Sequence, residues 1–130
     1  MAVFGSTDQM YDVLGNLFRM LMDQPDFGQK VRDSGLIIYF KISEPEGEIC
    51  VTSDGQVICG PADLKPTVSM TLSGDTCHKF WLKQVSMPIA LAKGLIKVKG
   101  PMPKVLKLLP LLKPAYEAYP DHARKHGIPV

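Results

Sequence analysis

The residues best suited to catalysis are three histidines and three cysteines in a chain of 130 residues. A nucleophilic triad needs a histidine held between a nucleophile and a carboxylate. Cys77 and His78 are adjacent on a predicted helix, where neighbouring side chains point about 100° apart, so they do not form such a pair. His122 and His126 lie four residues apart in a predicted polar tail, with no obvious further ligand for a metal. We therefore expect no catalytic residue, no metal and no cofactor, and a protein that is not an enzyme.

Three glutamates, Glu44, Glu46 and Glu48, form the densest acidic run. The residues between them are Pro45 and Gly47, which predict a loop, and carboxylates in a loop are usually solvated. The sequence also has no glycine-rich phosphate-binding loop of the mononucleotide or dinucleotide type. We therefore interpret the acidic run as surface.

Two cysteines flank a predicted β-hairpin. Asp54-Gly55 separates two β-prone runs, which is typical of a tight turn. If these two residues form the whole turn, Cys50 lies opposite Cys59 at a closely spaced, non-hydrogen-bonded position. A disulfide is then geometrically feasible. The odd number of cysteines nevertheless fits a reducing compartment, and we expect two reduced thiols.

Composition indicates an ordinary globular protein. Hydrophobic residues make up 45% and charged residues 22% of the chain, which argues against disorder. The net charge of +2 is too small to suggest a nucleic-acid partner. We find no run of about 18 apolar residues and no basic-then-apolar start that would indicate a membrane span or a secretory signal. We expect one domain, residues 1–130, in the cytoplasm.

Hydrophobic periodicity predicts the order of the elements. The chain begins with an amphipathic helix capped by Thr7 and a shorter helix that ends at Gly35. Alternating strands then follow, until Ser73 caps a helix bearing Phe80 and Trp81. A second short helix ending at Gly94 precedes one more strand. Because helices and strands are segregated along the chain, we predict an α+β fold with helices covering one face of the sheet.

The last predicted helix runs from Met102 to about Tyr119, and Pro110 and Pro114 interrupt it. Between residues 105 and 112 its apolar side chains surround nearly the whole circumference. One face would pack on the sheet, and the rest requires a cover. Deep burial, a dimer partner, a membrane surface and a bound ligand all remain possible covers, since the pattern does not choose among them.

The second half of the chain resembles the sterol carrier protein type two family, the non-specific lipid-transfer domains. The resemblance lies in the alternating strand at residues 66–73 (PTVSMTLS) and the capped helix with Phe80 and Trp81. It continues through Lys93-Gly94 into the basic and apolar strand at residues 95–102 (LIKVKGPM). The match extends over residues 66–112 and follows order and spacing, without a catalytic signature.

This resemblance implies a five-stranded, mostly antiparallel sheet covered by helices, with a hydrophobic tunnel between the layers. The tunnel would hold a sterol-like, fatty-acid or fatty-acyl ligand, for binding or intracellular transfer. Ordinary core packing would explain each apolar position equally well. The candidate lining residues are Phe40, Met70, Phe80, Trp81, Ile89, Val98, Met102, Leu106, Leu109 and Leu112.

Two other interpretations stay open at this stage. In one, the apolar helix is the interface of a homodimeric interaction protein. In the other, the chain is an accessory subunit that presents an apolar substrate, such as an isoprenoid, to a separate enzyme. Four lysines near the expected tunnel mouth suit transient contact with anionic headgroups, although a solvated face would explain them equally well. They are Lys97, Lys99, Lys104 and Lys107.

Overall fold

The computed structural model describes residues 3–60, 65–101, 103, 104, 107 and 113–128, and it begins with three consecutive helical segments. These are α1 (Thr7–Met10), a π-helical turn (Tyr11–Gly15) and α2 (Asn16–Met22). The residue that caps α1 is Ser6, whose hydroxyl accepts a hydrogen bond from the Gln9 backbone N–H. Thr7, the cap predicted from the sequence, is instead the first helical residue, because Ser6 provides the cap one position earlier.

A five-stranded sheet forms the second layer, and its mostly antiparallel pairing confirms the predicted fold class. Helix α3 (Pro25–Ser34) precedes it and ends at Gly35, as predicted. In the strand order β3-β2-β1-β4-β5, every pairing is antiparallel except that of β1 with β4. The strands are β1 (Ile38–Ser43), β2 (Gly47–Val51), β3 (Val57–Cys59), β4 (Val68–Ser73) and β5 (Ile96–Lys99).

The strand register aligns one row of side chains across the whole sheet. We call the face that carries this row the inner face, since α2 packs on it through Phe18, whose ring stacks on Phe40 at 5.2 Å between centroids. Alternation along each strand then assigns every second residue to this face. From one edge to the other, the row contains Cys59, Ile49, Phe40, Met70 and Val98.

The hairpin between β2 and β3 has a longer loop than predicted. Ile49 pairs with Cys59, and Cys50 pairs with Ile58. The Thr52 N–H donates to the Gln56 carbonyl at 2.9 Å, which leaves a three-residue loop, residues 53–55. A shift of one residue moves a side chain to the opposite face of the sheet. The prediction that Cys50 lies opposite Cys59 is therefore wrong, and both are free thiols.

The physical reason for the longer loop is local side-chain bonding. The Thr52 hydroxyl accepts a hydrogen bond from the Gln56 N–H at 3.0 Å and also bonds to the Asp54 carboxylate. Gly55 closes the loop with a φ of 95°. Three-residue hairpin loops commonly place a glycine at such a left-handed position, so Asp-Gly suits this loop as well as the shorter one.

Three further helices have both ends within the described residues. Ser73 caps the first of them by accepting from the Thr76 N–H at 3.1 Å, as predicted. The last helix continues past Pro120 to Lys125, so the predicted polar tail beyond Tyr119 is wrong. Burial of Ala123 and His122 on the core favours this extension despite the proline. The helices are α4 (Gly74–Trp81), α5 (Met87–Ala92) and α6 (Lys113–Lys125).

Most of the apolar segment before α6 lies outside the described residues. This includes Met102, Leu106, Leu109 and Leu112, whereas residues 103, 104 and 107 of the predicted helix are described and are helical. Within the described ranges, no helix is both long enough and apolar enough to cross a membrane.

A pair of glycine variants tests the close approach of Gly100 to β4. Gly100 has a φ of 146°, and a Cβ there would lie 2.7 Å from the Thr67 carbonyl oxygen, whereas Gly94, with a φ of 72°, has nothing within 4 Å. We expect Gly94→Ala to cost about 1 kcal/mol of unfolding free energy. Gly100→Ala should cost more, roughly 2–3 kcal/mol, because backbone must also move. Urea unfolding measures both, and equal costs would contradict the close approach.

Candidate functional site

Five aromatic side chains from four elements form a continuous cluster between the inner face and the helices. The rings of Phe80 and Trp81 are 4.9 Å apart, and those of Phe80 and Tyr116 are 5.2 Å apart. Trp81 also approaches Phe18 at 5.9 Å and Phe40 at 6.2 Å. Edge-on and offset arrangements at such distances are favourable for aromatic pairs. We call Phe18, Phe40, Phe80, Trp81 and Tyr116 the aromatic cluster.

The structure brings several of the predicted ligand-binding residues together. Phe40, Met70, Phe80 and Trp81 are buried, with at most 2% of each residue exposed. Val98, half-buried on the edge strand β5, continues the row that contains Phe40 and Met70. These five residues line one continuous apolar region.

Of the other predicted site residues, the structure describes Ile89. Ile89 is 53% exposed on α5, and it therefore faces solvent away from the aromatic cluster. Met102, Leu106, Leu109 and Leu112 fall outside the described residues. A role in ligand binding remains a prediction for all ten positions.

A cavity of about 290 Å³ adjoins the aromatic cluster. It is lined by Phe80, Lys83, Val85, Ser86 and Tyr116. Phe80 and Tyr116 belong to both the cavity and the cluster, which makes the two features continuous. Its volume is close to the lower end of the ~300–1,000 Å³ typical of ligand pockets. The sequence pattern alone indicated neither Tyr116 nor Phe18, since their roles depend on how α6 and α2 pack.

Two titratable groups at the cluster, Cys77 and Tyr116, are electrically neutral. Burial raises the pKa of Cys77 to about 12, and the Trp81 side chain beside its sulfur opposes this rise only in part. Burial likewise raises the pKa of Tyr116 to about 12. Both groups therefore stay protonated near neutral pH, and a protonated thiol is a poor nucleophile. Such a site suits an apolar ligand better than a charged one.

The Trp81 indole N–H is a buried polar group within this apolar region. It is fully buried and makes no hydrogen bond of normal geometry within the described ranges. An unpaired buried donor costs free energy, roughly 1–3 kcal/mol. Trp81 therefore places one weakly paired donor, with the poorly accepting Cys77 sulfur beside it, next to the aromatic surfaces.

Two buried hydrogen bonds attach α6 to the rest of the fold. The Tyr119 hydroxyl lies 2.7 Å from His78 Nδ1 on α4. His122 Nε2 donates to the Val13 carbonyl in the π-helical turn, also at 2.7 Å. These contacts hold Tyr116 against Phe80. The sequence-based prediction that His122 is solvated is therefore wrong, since α6 extends far enough to bury it.

A second, larger cleft lies at the connection between β1 and β2. It measures about 460 Å³, and its lining includes Tyr11, Lys41, Glu46, Glu48 and Thr71. The Tyr11 hydroxyl accepts a hydrogen bond from the Glu48 N–H at 3.1 Å. The cleft is broad, open and of mixed charge, and no group of three potential metal ligands occurs among the described residues. The cavity beside the aromatic cluster is therefore the stronger candidate.

The attachment of α6 should weaken with acid. Burial holds the pKa of His122 below its usual value of 6.5, and its hydrogen bond to Val13 opposes this only in part. The unfolded chain then binds a proton at higher pH than the folded one. Stability should accordingly fall as the pH drops from about 6.5 towards the lower pKa of the folded state.

His122→Gln provides the comparison, because the glutamine amide can still donate to Val13 but does not titrate. Between ~pH 7.5 and ~pH 5.5, the urea unfolding midpoint should decrease less for this variant than for the unmodified protein. Equal losses would mean that His122 does not couple stability to pH.

Comparisons with known proteins show which solved structures share this fold. No protein-family model and no curated protein matches the sequence. Solved structures do match, and one is the sterol carrier protein domain 2 of Helicoverpa armigera. It has a TM-score of 0.70 at 21% identity, with 84% of this chain and 89% of that one covered.

Two other solved structures share the architecture. UbiJ-SCP2, a ubiquinone synthesis protein, has a TM-score of 0.60 at 15% identity, covering 82% of this chain and 94% of its own. Sterol carrier protein-2 of Aedes aegypti, in complex with palmitate, has a TM-score of 0.55 at 14% identity, covering 85% and 93%. The resemblance seen in the second half of the sequence is thereby confirmed, and the chain has the fold of the sterol carrier protein 2 domains.

Proposed function

We propose that this protein binds an apolar lipid between the inner face of the sheet and its helices. The ligand class is a fatty acid, fatty-acyl or sterol-like molecule, and the protein carries it in the cytoplasm without transforming it. The observation that carries the proposal is a cavity whose wall is formed by two members of the aromatic cluster, Phe80 and Tyr116. The fold supports it, because the Aedes aegypti protein of the same fold is in complex with palmitate.

The chemistry of the lining favours capture by apolar burial. Each methylene group removed from water contributes about 0.8 kcal/mol. A cavity of about 290 Å³ is small for a whole long-chain lipid, so uptake requires side chains of the cluster to move. Phe80 and Tyr116 form the wall between the cavity and the interior, and Met70 lies on the sheet beyond it. A flexible methionine adapts well to ligands of different shape.

The neutral state of the buried groups supports a carrier over an enzyme. The raised pKa values of Cys77 and Tyr116 leave both groups protonated near neutral pH. Among the described residues that line the cavity, Lys83 is the charged one. Its ammonium group would suit a carboxylate or another anionic headgroup at the cavity mouth.

The protein contains a single tryptophan, Trp81, which makes it a built-in reporter of the site. Titration with palmitate should change its fluorescence, and a fluorescent fatty acid should accept energy from it. Val85→Phe adds volume to the cavity wall at a half-buried position, and we expect about tenfold weaker binding. The unfolding midpoint should change little, since Val85 is not in the buried core.

Met20→Phe is the matched control. Met20 is 38% exposed on α2 and does not line the cavity, so this variant should bind palmitate like the unmodified protein. The proposal fails if neither the fluorescence of Trp81 nor the acceptor emission responds to any apolar lipid in the folded protein.

A second candidate function is suggested by the likeness to UbiJ-SCP2, a ubiquinone synthesis protein. Here the protein would present an isoprenoid substrate to a separate enzyme. Competition between an isoprenoid quinone and palmitate, followed by Trp81 fluorescence, distinguishes the two. Preference for the quinone supports the presenting role, and preference for palmitate supports the carrier.

A further inference from the structure

Charge is unevenly distributed along this chain. Residues 1–75 contain eleven acidic and five basic side chains, whereas residues 76–116 contain eight lysines and no acidic residue. The modest net charge of +2 therefore conceals a strongly basic segment. This segment includes α4, α5, β5 and the beginning of α6. Because lysines here have no carboxylate neighbours in sequence, this segment is positively charged along its length.

The same segment exposes apolar side chains. Four large apolar residues are exposed in the part of the chain that the structure describes, and three of them lie within residues 89–95. Ile89 is 53%, Leu91 43% and Leu95 42% exposed. Within residues 88–92 of α5, Ala90 is buried, while Pro88 and Ala92 are also exposed. We call Ile89, Leu91 and Leu95 the apolar patch; such clusters usually mark interaction surfaces.

Lysines surround the apolar patch. Lys93 follows α5 directly, and Lys97 and Lys99 are exposed on the adjoining strand β5. Helix α5 and strand β5 are packed together, which brings these lysines and the patch into one region of the surface. An exposed apolar surface with a basic border is the arrangement that binds at the interface of an anionic bilayer.

The patch also adjoins the cavity mouth. Lys83, Val85 and Ser86 line the cavity, and Ser86 is the N-cap of α5. The helix that carries the patch therefore starts at the cavity wall. A surface that docks here places the opening near the bilayer.

We propose that α5 and the edge of β5 dock the protein on anionic membranes, with the apolar patch inserted and the lysines on phospholipid headgroups. This inference rests on the proposed lipid-binding function. It identifies the surface at which the lipid passes between the protein and a membrane. The basic border favours a membrane over a second copy of this chain, because two copies docked patch to patch would bring lysines together. The apolar centre favours a membrane over nucleic acid, whose phosphates require a polar surface.

Vesicle flotation of the full chain tests the docking. Vesicles of phosphatidylcholine alone are compared with vesicles that also contain phosphatidylglycerol, at low and at high salt. We expect binding to the anionic vesicles and weaker binding at high salt, where charges are screened. Leu91→Gln with Leu95→Gln should reduce this binding at least about tenfold. Lys93→Gln with Lys97→Gln should reduce it roughly fivefold per lysine.

The controls use residues of the same type elsewhere. Met20→Gln removes the fourth exposed apolar side chain, and Lys30→Gln removes an exposed lysine of α3, so both variants should bind vesicles normally. Palmitate binding without vesicles, followed by Trp81 fluorescence, should be unchanged in the patch variant. That readout separates failure of docking from failure of ligand binding.

Three outcomes would overturn the proposal. One is vesicle binding by the patch variant that equals that of the unmodified protein. Another is equal binding to neutral and anionic vesicles. The third is a dimer in solution that the patch variant converts to a monomer, which would identify a second copy as the partner.

Discussion

Packing of the Phe40 ring against Phe18 and Trp81 joins the sheet to α2 and α4, and Trp81 in turn contacts Tyr116 on α6. Phe40 lies on β1, the central strand, between Ile49 on β2 and Met70 on β4. Since large aromatic side chains contribute much of the burial in a small core, this contact fixes the spacing of the two layers. Whatever enters the fold between these layers must displace some of the same rings.

Helix α6 is attached differently, by directional polar contacts as well as by apolar burial. Its bonds from Tyr119 to His78 and from His122 to the Val13 carbonyl are buried. A buried hydrogen bond specifies position more sharply than apolar contact does, because leaving its donor or acceptor unpaired costs roughly 1–3 kcal/mol. Tyr116, on the same helix, therefore has a defined position against Phe80. The cavity wall is thus held on one side by α4 and on the other by these two bonds.

Local periodicity predicted much of the fold. Most of the features that it did not predict depend on contacts between residues far apart in the sequence. The alternation around Phe40 and Met70 identified the inner face, since strand geometry repeats every two residues. The capping role of Ser73 was likewise local. The β2–β3 register depended on how Thr52 bonds its own loop, and Asp-Gly suits both loop lengths. Tyr116 was missed because its partners, Phe80 and Trp81, are more than thirty residues away.

The position of the cavity beside a basic, apolar surface has a physical consequence for lipid exchange. A lipid that leaves through water loses about 0.8 kcal/mol for each methylene group exposed, which makes release slow for long chains. Contact between the cavity mouth and a bilayer removes most of that exposure. Ser86 belongs to the cavity lining and caps α5, so a single short segment links the two surfaces. The exposed apolar side chains of the patch cost little in a membrane interface, whereas in water they only reduce solubility.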